Sequence, residues 1–285
     1  MRYFVLVAAL LLLGGCASFG PPSTEDAFVG RPSPTLATYA LPDGRRLATA
    51  ETGNPDGPLV LFVHGTPGSW NDFAFVMADA TLAERALLIS VDRVGWGGSA
   101  AGGLETSLQA QARALQAVLE AHPRNLPAIV VGHSLGAPIA ALLAMDAPEH
   151  VGALVLVAGS IDPELEKTTW YQAVGRWRLV RWALPEVLVR ADEEILPLKG
   201  ELEAVHARWG ELRMPVTVIQ GEKDRLVPAA NADYARRVLT NAEVTFERIP
   251  DLGHLIPWHR PEVITSAILR HVEGMAGNRS LPLRF

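Results

Sequence analysis

Between residues 36 and 272 the chain alternates short apolar runs with longer amphipathic stretches. Leu59-Val60-Leu61-Phe62-Val63 is apolar at every position. A strand with one wet face alternates apolar and polar residues, so an unbroken run of this length predicts a strand buried on both faces, as in a parallel sheet. The same texture predicts strands over 86–91, 128–131, 153–157 and 216–219, and a weaker one over 243–248. Helical patterns lie at 70–82, 104–121, 135–145, 229–239 and 262–272. In the second, Leu108, Leu115, Val118 and Leu119 share a stripe; the third is almost wholly apolar, as a buried helix is. Residues 36–50 alternate loosely around Asp43-Gly44, which predicts an N-terminal hairpin. Strands alternating with helices predict an α/β fold, a doubly wound and mostly parallel sheet with right-handed crossovers.

Residues 162–214 break this rhythm. They contain no buried-strand run but hold Trp170, Trp177, Trp182 and Trp209, with internal prolines and mixed charge. They are expected to form a small, mostly helical insertion into a core of residues 36–161 and 215–285. The tryptophans suit packing and substrate contact equally well.

The start of the chain follows different rules. Arg2 precedes an apolar run of roughly ten residues that ends in Leu13-Gly14-Gly15-Cys16. A positive start, a short apolar segment and small residues describe a secretory signal, too short for the about twenty residues that span a bilayer. Its end resembles a bacterial lipobox, which implies cleavage after residue 15 and lipid attachment at Cys16, the chain's single cysteine. Ala17 stands where lipoproteins retained in the inner membrane often carry aspartate, so the resemblance implies outer-membrane anchoring, facing the periplasm. Residues 16–35, with Pro21, Pro22, Pro32 and Pro34, are expected to form a tether between lipid and domain.

Composition narrows the partners. With 285 residues, 49% hydrophobic and 20% charged, the chain can bury a large core and is not a disordered one. A net charge of −6 does not suggest nucleic acid as a partner. No His/Cys/Asp cluster has metal-ligand spacing, and neither metal nor organic cofactor is implied.

Ligands of open parallel sheets bind beyond the carboxyl ends of the strands. After the predicted strands come His64-Gly65-Thr66-Pro67-Gly68-Ser69, then Asp92-Arg93-Val94-Gly95-Trp96-Gly97-Gly98-Ser99, then Gly132-His133-Ser134-Leu135-Gly136, then Gly221-Glu222-Lys223-Asp224, then Asp251-Leu252-Gly253-His254. A serine, a carboxylate and a histidine thus follow three different strands, in that order. In these five stretches the chain resembles the α/β-hydrolase family over about residues 36–272, with the insertion where that family often carries its lid.

The resemblance implies a nucleophile elbow at Ser134, whose close-passing chain requires small residues at 132 and 136. It implies His254 as base, with His259 a distant second, and Asp224 as the acid, with Glu222 and Asp162 as alternatives. The backbone N–H groups of Leu135 and Thr66 are the expected oxyanion donors. Asp92 and Asp251 are expected to be structural, His64 to bond loop backbone, His133 to point away from the site, and His122, His150, His206 and His271 to lie at the surface. A serine rather than an aspartate nucleophile argues against epoxide opening and dehalogenation. The expected reaction is hydrolysis of a carboxylic ester, or a related acyl bond of a small molecule, through an acyl-enzyme. A carbon–carbon hydrolase or amidase on the same triad, and a catalytically silent binding scaffold, are the alternatives.

Overall fold

The computed structural model describes residues 23–122, 127–166 and 184–279, with side chains through residue 275. One eight-stranded sheet runs in the order β1-β2-β4-β3-β5-β6-β7-β8. Strands β1 (Thr35–Ala40) and β2 (Arg46–Gly53) form the expected antiparallel hairpin, and β2 pairs antiparallel with β4 (Leu87–Val91). From β4 the sheet is parallel through β3 (Leu59–Val63), β5 (Ala128–His133), β6 (Val151–Val157), β7 (Val216–Gly221) and β8 (Val244–Ile249).

The unbroken apolar runs have a direct explanation. Leu59, Leu61 and Val63 of β3 enter one core cluster with Val130 and Leu142, while Val60 and Phe62 enter a second with Phe73, Met77, Val131 and Ile268. Successive side chains point to opposite faces, and both faces are covered. Each large apolar side chain so buried contributes about 1.5–3 kcal/mol.

Side-chain caps set three of the helix starts. Helix α1 (Thr24–Ala27) is capped by Ser23. The single helix expected over 70–82 is instead a 3-10 turn (Trp70–Phe73), α2 (Ala74–Met77) and α3 (Ala80–Arg85), because the Asp79 side chain accepts from the Leu82 N–H and starts a new helix. Ser107 caps α4 (Leu108–Glu120), and α5 (Gly136–Asp146) lies buried from Gly136 through Met145. Later come α6 (Glu186–Ile195), α7 (Leu198–Val205), α8 (Ala230–Val238), α9 (Ile256–His259) and α10 (Pro261–Arg279).

Two expected segments look different in the structure. The expected tether 16–35 is docked at Phe28, which is buried and packs in the second cluster with Met77 and Ala78, with Ala27 packed beside it. Of the insertion 162–214, residues 162–166 and 184–214 are described. Its second half is a wall of the core as well as a cover, since Leu198, Leu202, Val205, Trp209 and Leu212 belong to the first cluster. Trp170, Trp177 and Trp182 lie outside the described residues, as do residues 1–15 and Cys16.

The chain runs from β3 to β4 on one side and then crosses to β5 on the other. That reversal opens a crevice at the carboxyl ends of β3 and β5, where the loops starting at His64 and Ser134 meet.

Candidate active site

Ser134 follows β5 directly and has φ 55°, a left-handed conformation that costs a non-glycine residue about 1–3 kcal/mol. Its N–H donates to the Val157 carbonyl at 2.9 Å, and its own carbonyl accepts from Ala137 and Ser160 N–H groups at 3.1 and 3.2 Å. Those bonds hold the elbow in its strained shape. The turn is close on both sides: a methyl at position 132 would meet the Gly136 carbonyl oxygen at 2.4 Å, and one at position 136 the Val63 carbonyl oxygen at 2.2 Å. Only glycine fits either place.

Asp224 and His254 come from separate loops that the backbone ties together. The Lys223 N–H donates to the Leu252 carbonyl, and the Glu222 N–H to the Ile249 carbonyl, each at 2.9 Å. Asp224 has a fully buried side chain. Its Oδ1 accepts from the Leu226 and Val227 N–H groups at 2.9 and 2.8 Å, which aims Oδ2 at His254 Nδ1, 2.7 Å away. With Nδ1–H donating to the carboxylate, Nε2 carries a free lone pair.

The competing groups are engaged elsewhere. Glu222 pairs with Arg248. Asp162 accepts from the Glu164 N–H at 3.0 Å and lies 3.5 Å from Arg237. Asp251 pairs with Arg260 at 3.3 Å, and His259 is exposed. Asp92 braces its glycine-rich turn, accepting from the Trp70 and Gly98 N–H groups, both at 2.7 Å.

His133 does not point away as expected. It closes β5 with its side chain on the face covered by α9 and α10, its ring 4.8 Å from that of His254. Its Nε2–H donates to the His254 carbonyl at 3.0 Å. Strand alternation carries residue 133 to this face, which spacing along the chain does not reveal. Burial first, then the neighbouring His254, lower its pKa to about 3, so the ring is neutral. His122 also departs from expectation, being buried.

The first loop completes the crevice. A methyl on Gly65 would sit 2.8 Å from Ser134 Cβ and 3.4 Å from its Oγ, so the Gly65–Thr66 peptide lies against Ser134. His64 bonds loop backbone on both sides: Nδ1–H donates to the Gly65 carbonyl at 2.7 Å, and Nε2 accepts the Arg93 N–H at 3.0 Å. Burial, then the Arg93 charge, hold its pKa well below the usual histidine range. Leu135 stands at the start of α5, where the first N–H groups have no partner within the helix. Among the described residues no group of three His, Cys, Asp or Glu side chains is arranged to hold a metal ion.

The structure therefore brings Ser134, Asp224, His254, Leu135 and Thr66 to one end of the sheet. A model of the α/β-hydrolase fold matches residues 58–190. A Klebsiella pneumoniae protein named "Putative carbamate hydrolase RutD" is 31% identical over 232 residues, covering 78% of this chain and 84% of that protein. The dihydrolipoyllysine-residue acetyltransferase component of an acetoin cleaving system from Cupriavidus necator is 26% identical over 266 residues, 83% of this chain and 69% of the relative. A thermophilic esterase from Thermogutta terrifontis shares the fold with a TM-score of 0.63 at 21% identity, over 85% of this chain and 99% of that one. The sheet order, the elbow at its switch point and these similarities lead to one assignment: the chain belongs to the α/β-hydrolase family and is a hydrolase.

Proposed function

We propose that the protein is a serine hydrolase that cleaves a carboxylic ester, or a related acyl bond, through an acyl-enzyme. The observation that carries this reading is the buried Asp224–His254 hydrogen bond beside a strained Ser134. Serine at its own pKa is a poor nucleophile and needs an adjacent base. His254 Nε2 takes the Ser134 Oγ proton as Oγ attacks the carbonyl carbon. Asp224 holds the ring in the Nδ1–H tautomer and stabilises the imidazolium. The Leu135 and Thr66 N–H groups receive the oxyanion, each donor being worth roughly 3–4 kcal/mol in the transition state. His254 then protonates the leaving group, and water repeats the sequence to release the acid.

A second reading is hydrolysis of a carbamate or amide on the same triad, supported by the name of the RutD relative. A fluorophosphonate probe and a panel of esters, thioesters, lactones, amides and carbamates test both. Wild type is expected to label and to turn over esters fastest, and Ser134→Ala to do neither. A folded wild type that does not label means a silent scaffold; amide or carbamate preference selects the second reading.

We infer also that Cys16 carries lipid and holds the domain at the outer membrane, supported by the Leu13-Gly14-Gly15-Cys16 pattern and Ala17. No helix among the described residues is long and apolar enough to cross a membrane.

A further inference from the structure

We propose that Arg93 and Glu194 are positioning residues that aim the Thr66 N–H at the reacting carbonyl, a role that rests on the serine-hydrolase reading above. Arg93 follows β4, is 1% exposed, and uses all five of its N–H donors. Nε donates to the His64 carbonyl at 2.9 Å, and Nη2 to the Gly65 carbonyl at 2.7 Å. Nη1 donates to Gln111 Oε1 at 2.7 Å and to Glu194 Oε1 at 2.5 Å; Nη2 reaches Glu194 Oε2 at 3.0 Å. Glu194 comes from α6, in the insertion.

The chemistry lies in which carbonyls are held. The Gly65 C=O and the Thr66 N–H belong to one planar peptide unit and point in opposite directions. A guanidinium fixed on the carbonyl end therefore fixes where the N–H end points, and it also polarises the amide toward a stronger donor. That same peptide lies against Ser134.

Glu194 makes the arrangement possible. A buried guanidinium without a counter-charge is strongly unfavourable. Burial pushes the Glu194 carboxyl up, but the Arg93 charge and hydrogen bonds outweigh that and leave its pKa lowered, so it stays ionised. One turn earlier on α6, Arg190 donates to the Gly95 carbonyl at 2.8 Å, so the helix grips the same post-β4 loop twice. Apolar residues can often replace a buried ion pair without loss of stability. The pair's distinctive product here is the orientation of two carbonyls beside the nucleophile.

The double variant Arg93→Met/Glu194→Met removes the pin and leaves neither charge of the pair buried without its partner. With p-nitrophenyl butyrate, kcat is expected to fall about 10²-fold, with KM and unfolding midpoint close to wild type. Affinity for propyl trifluoromethyl ketone, whose tetrahedral adduct uses the oxyanion donor, is expected to fall by a similar factor. Arg93→Lys keeps the charge with fewer donors and is expected to show an intermediate kcat. A folded double variant with wild-type kcat overturns the role; if that variant does not fold, an unchanged kcat in Arg93→Lys does so. Ser134→Ala on the same ester separates the two claims. Activity surviving in Ser134→Ala overturns the hydrolase mechanism itself. Its loss there, beside normal turnover in the Arg93 variants, overturns the positioning role alone.

Discussion

The His133 ring packs 4.8 Å from the His254 ring and donates through Nε2 to the His254 carbonyl at 3.0 Å. The residue before Ser134 is thus a bearing surface for His254, the proposed base. In the proposed mechanism His133, kept neutral by its burial and by the neighbouring His254, stays in place while His254 gains and loses a proton.

That neutrality makes stability depend on pH. In the folded protein His133 stays unprotonated down to about pH 3, whereas in the unfolded chain it takes up a proton near its usual 6.5. The unfolded state therefore binds more protons between these limits, and stability falls as pH drops below 6.5, by up to about 1.4 kcal/mol per unit. His64, shifted the same way, adds its own share. Denaturant unfolding at pH 6.5 and 5 should show wild type losing about 1.6 kcal/mol more than His133→Gln, whose amide can still donate to the carbonyl. Parallel losses in the two proteins would mean that residue 133 titrates alike folded and unfolded.

Asp224→Asn should leave the fold intact and lower kcat by roughly 10³–10⁴-fold, because an amide that donates to Nδ1 selects the wrong tautomer of His254. Glu222→Gln and Asp162→Asn should each change kcat less than about twofold, since both carboxylates are held away from His254 by other partners. Steady-state kinetics on one ester decides it: a large loss in either of the latter moves the acid.

Two glycine substitutions should fail in different ways. Gly136→Ala drives a methyl into the backbone of β3 and should cost about 3 kcal/mol, read as a fall of about 10 °C in Tm. Gly65→Ala presses on the Ser134 side chain instead, and should lower kcat/KM by about 10²-fold with a far smaller change in Tm. If both variants lose stability and activity in proportion, the crevice is not as close as the contacts imply.

Cys16→Ala, or globomycin treatment of cells carrying the wild-type chain, should shift the protein out of the membrane fraction. An unchanged distribution on fractionation removes the lipid anchor.

The sheet was legible because its runs are extreme. Leu59 through Val63 has no polar residue to mislead, and glycines at 132 and 136 around a serine have a steric meaning that survives without coordinates. Asp224 and His254 were legible as post-strand residues, and backbone bonds between their loops explain why order along the chain sufficed. The break at Asp79 was not legible, because a single capping aspartate lies inside one longer apolar pattern. The His133 contact and the Arg93–Glu194 pair were not legible. The first depends on which face of β5 meets α9 and α10, and the second joins residues 101 positions apart through a helix whose docking no local pattern specifies.

Phe28 shortens the leash. With the chain pinned at Phe28, the proposed lipid on Cys16 would be separated from the folded body only by residues 16 to 28. That length reaches at most about 40 Å, against about 65 Å for the whole segment to Thr35. On the proposed anchor, a domain held that closely would sample a thin layer above the bilayer rather than a volume, and the encounters open to it would be those of a surface.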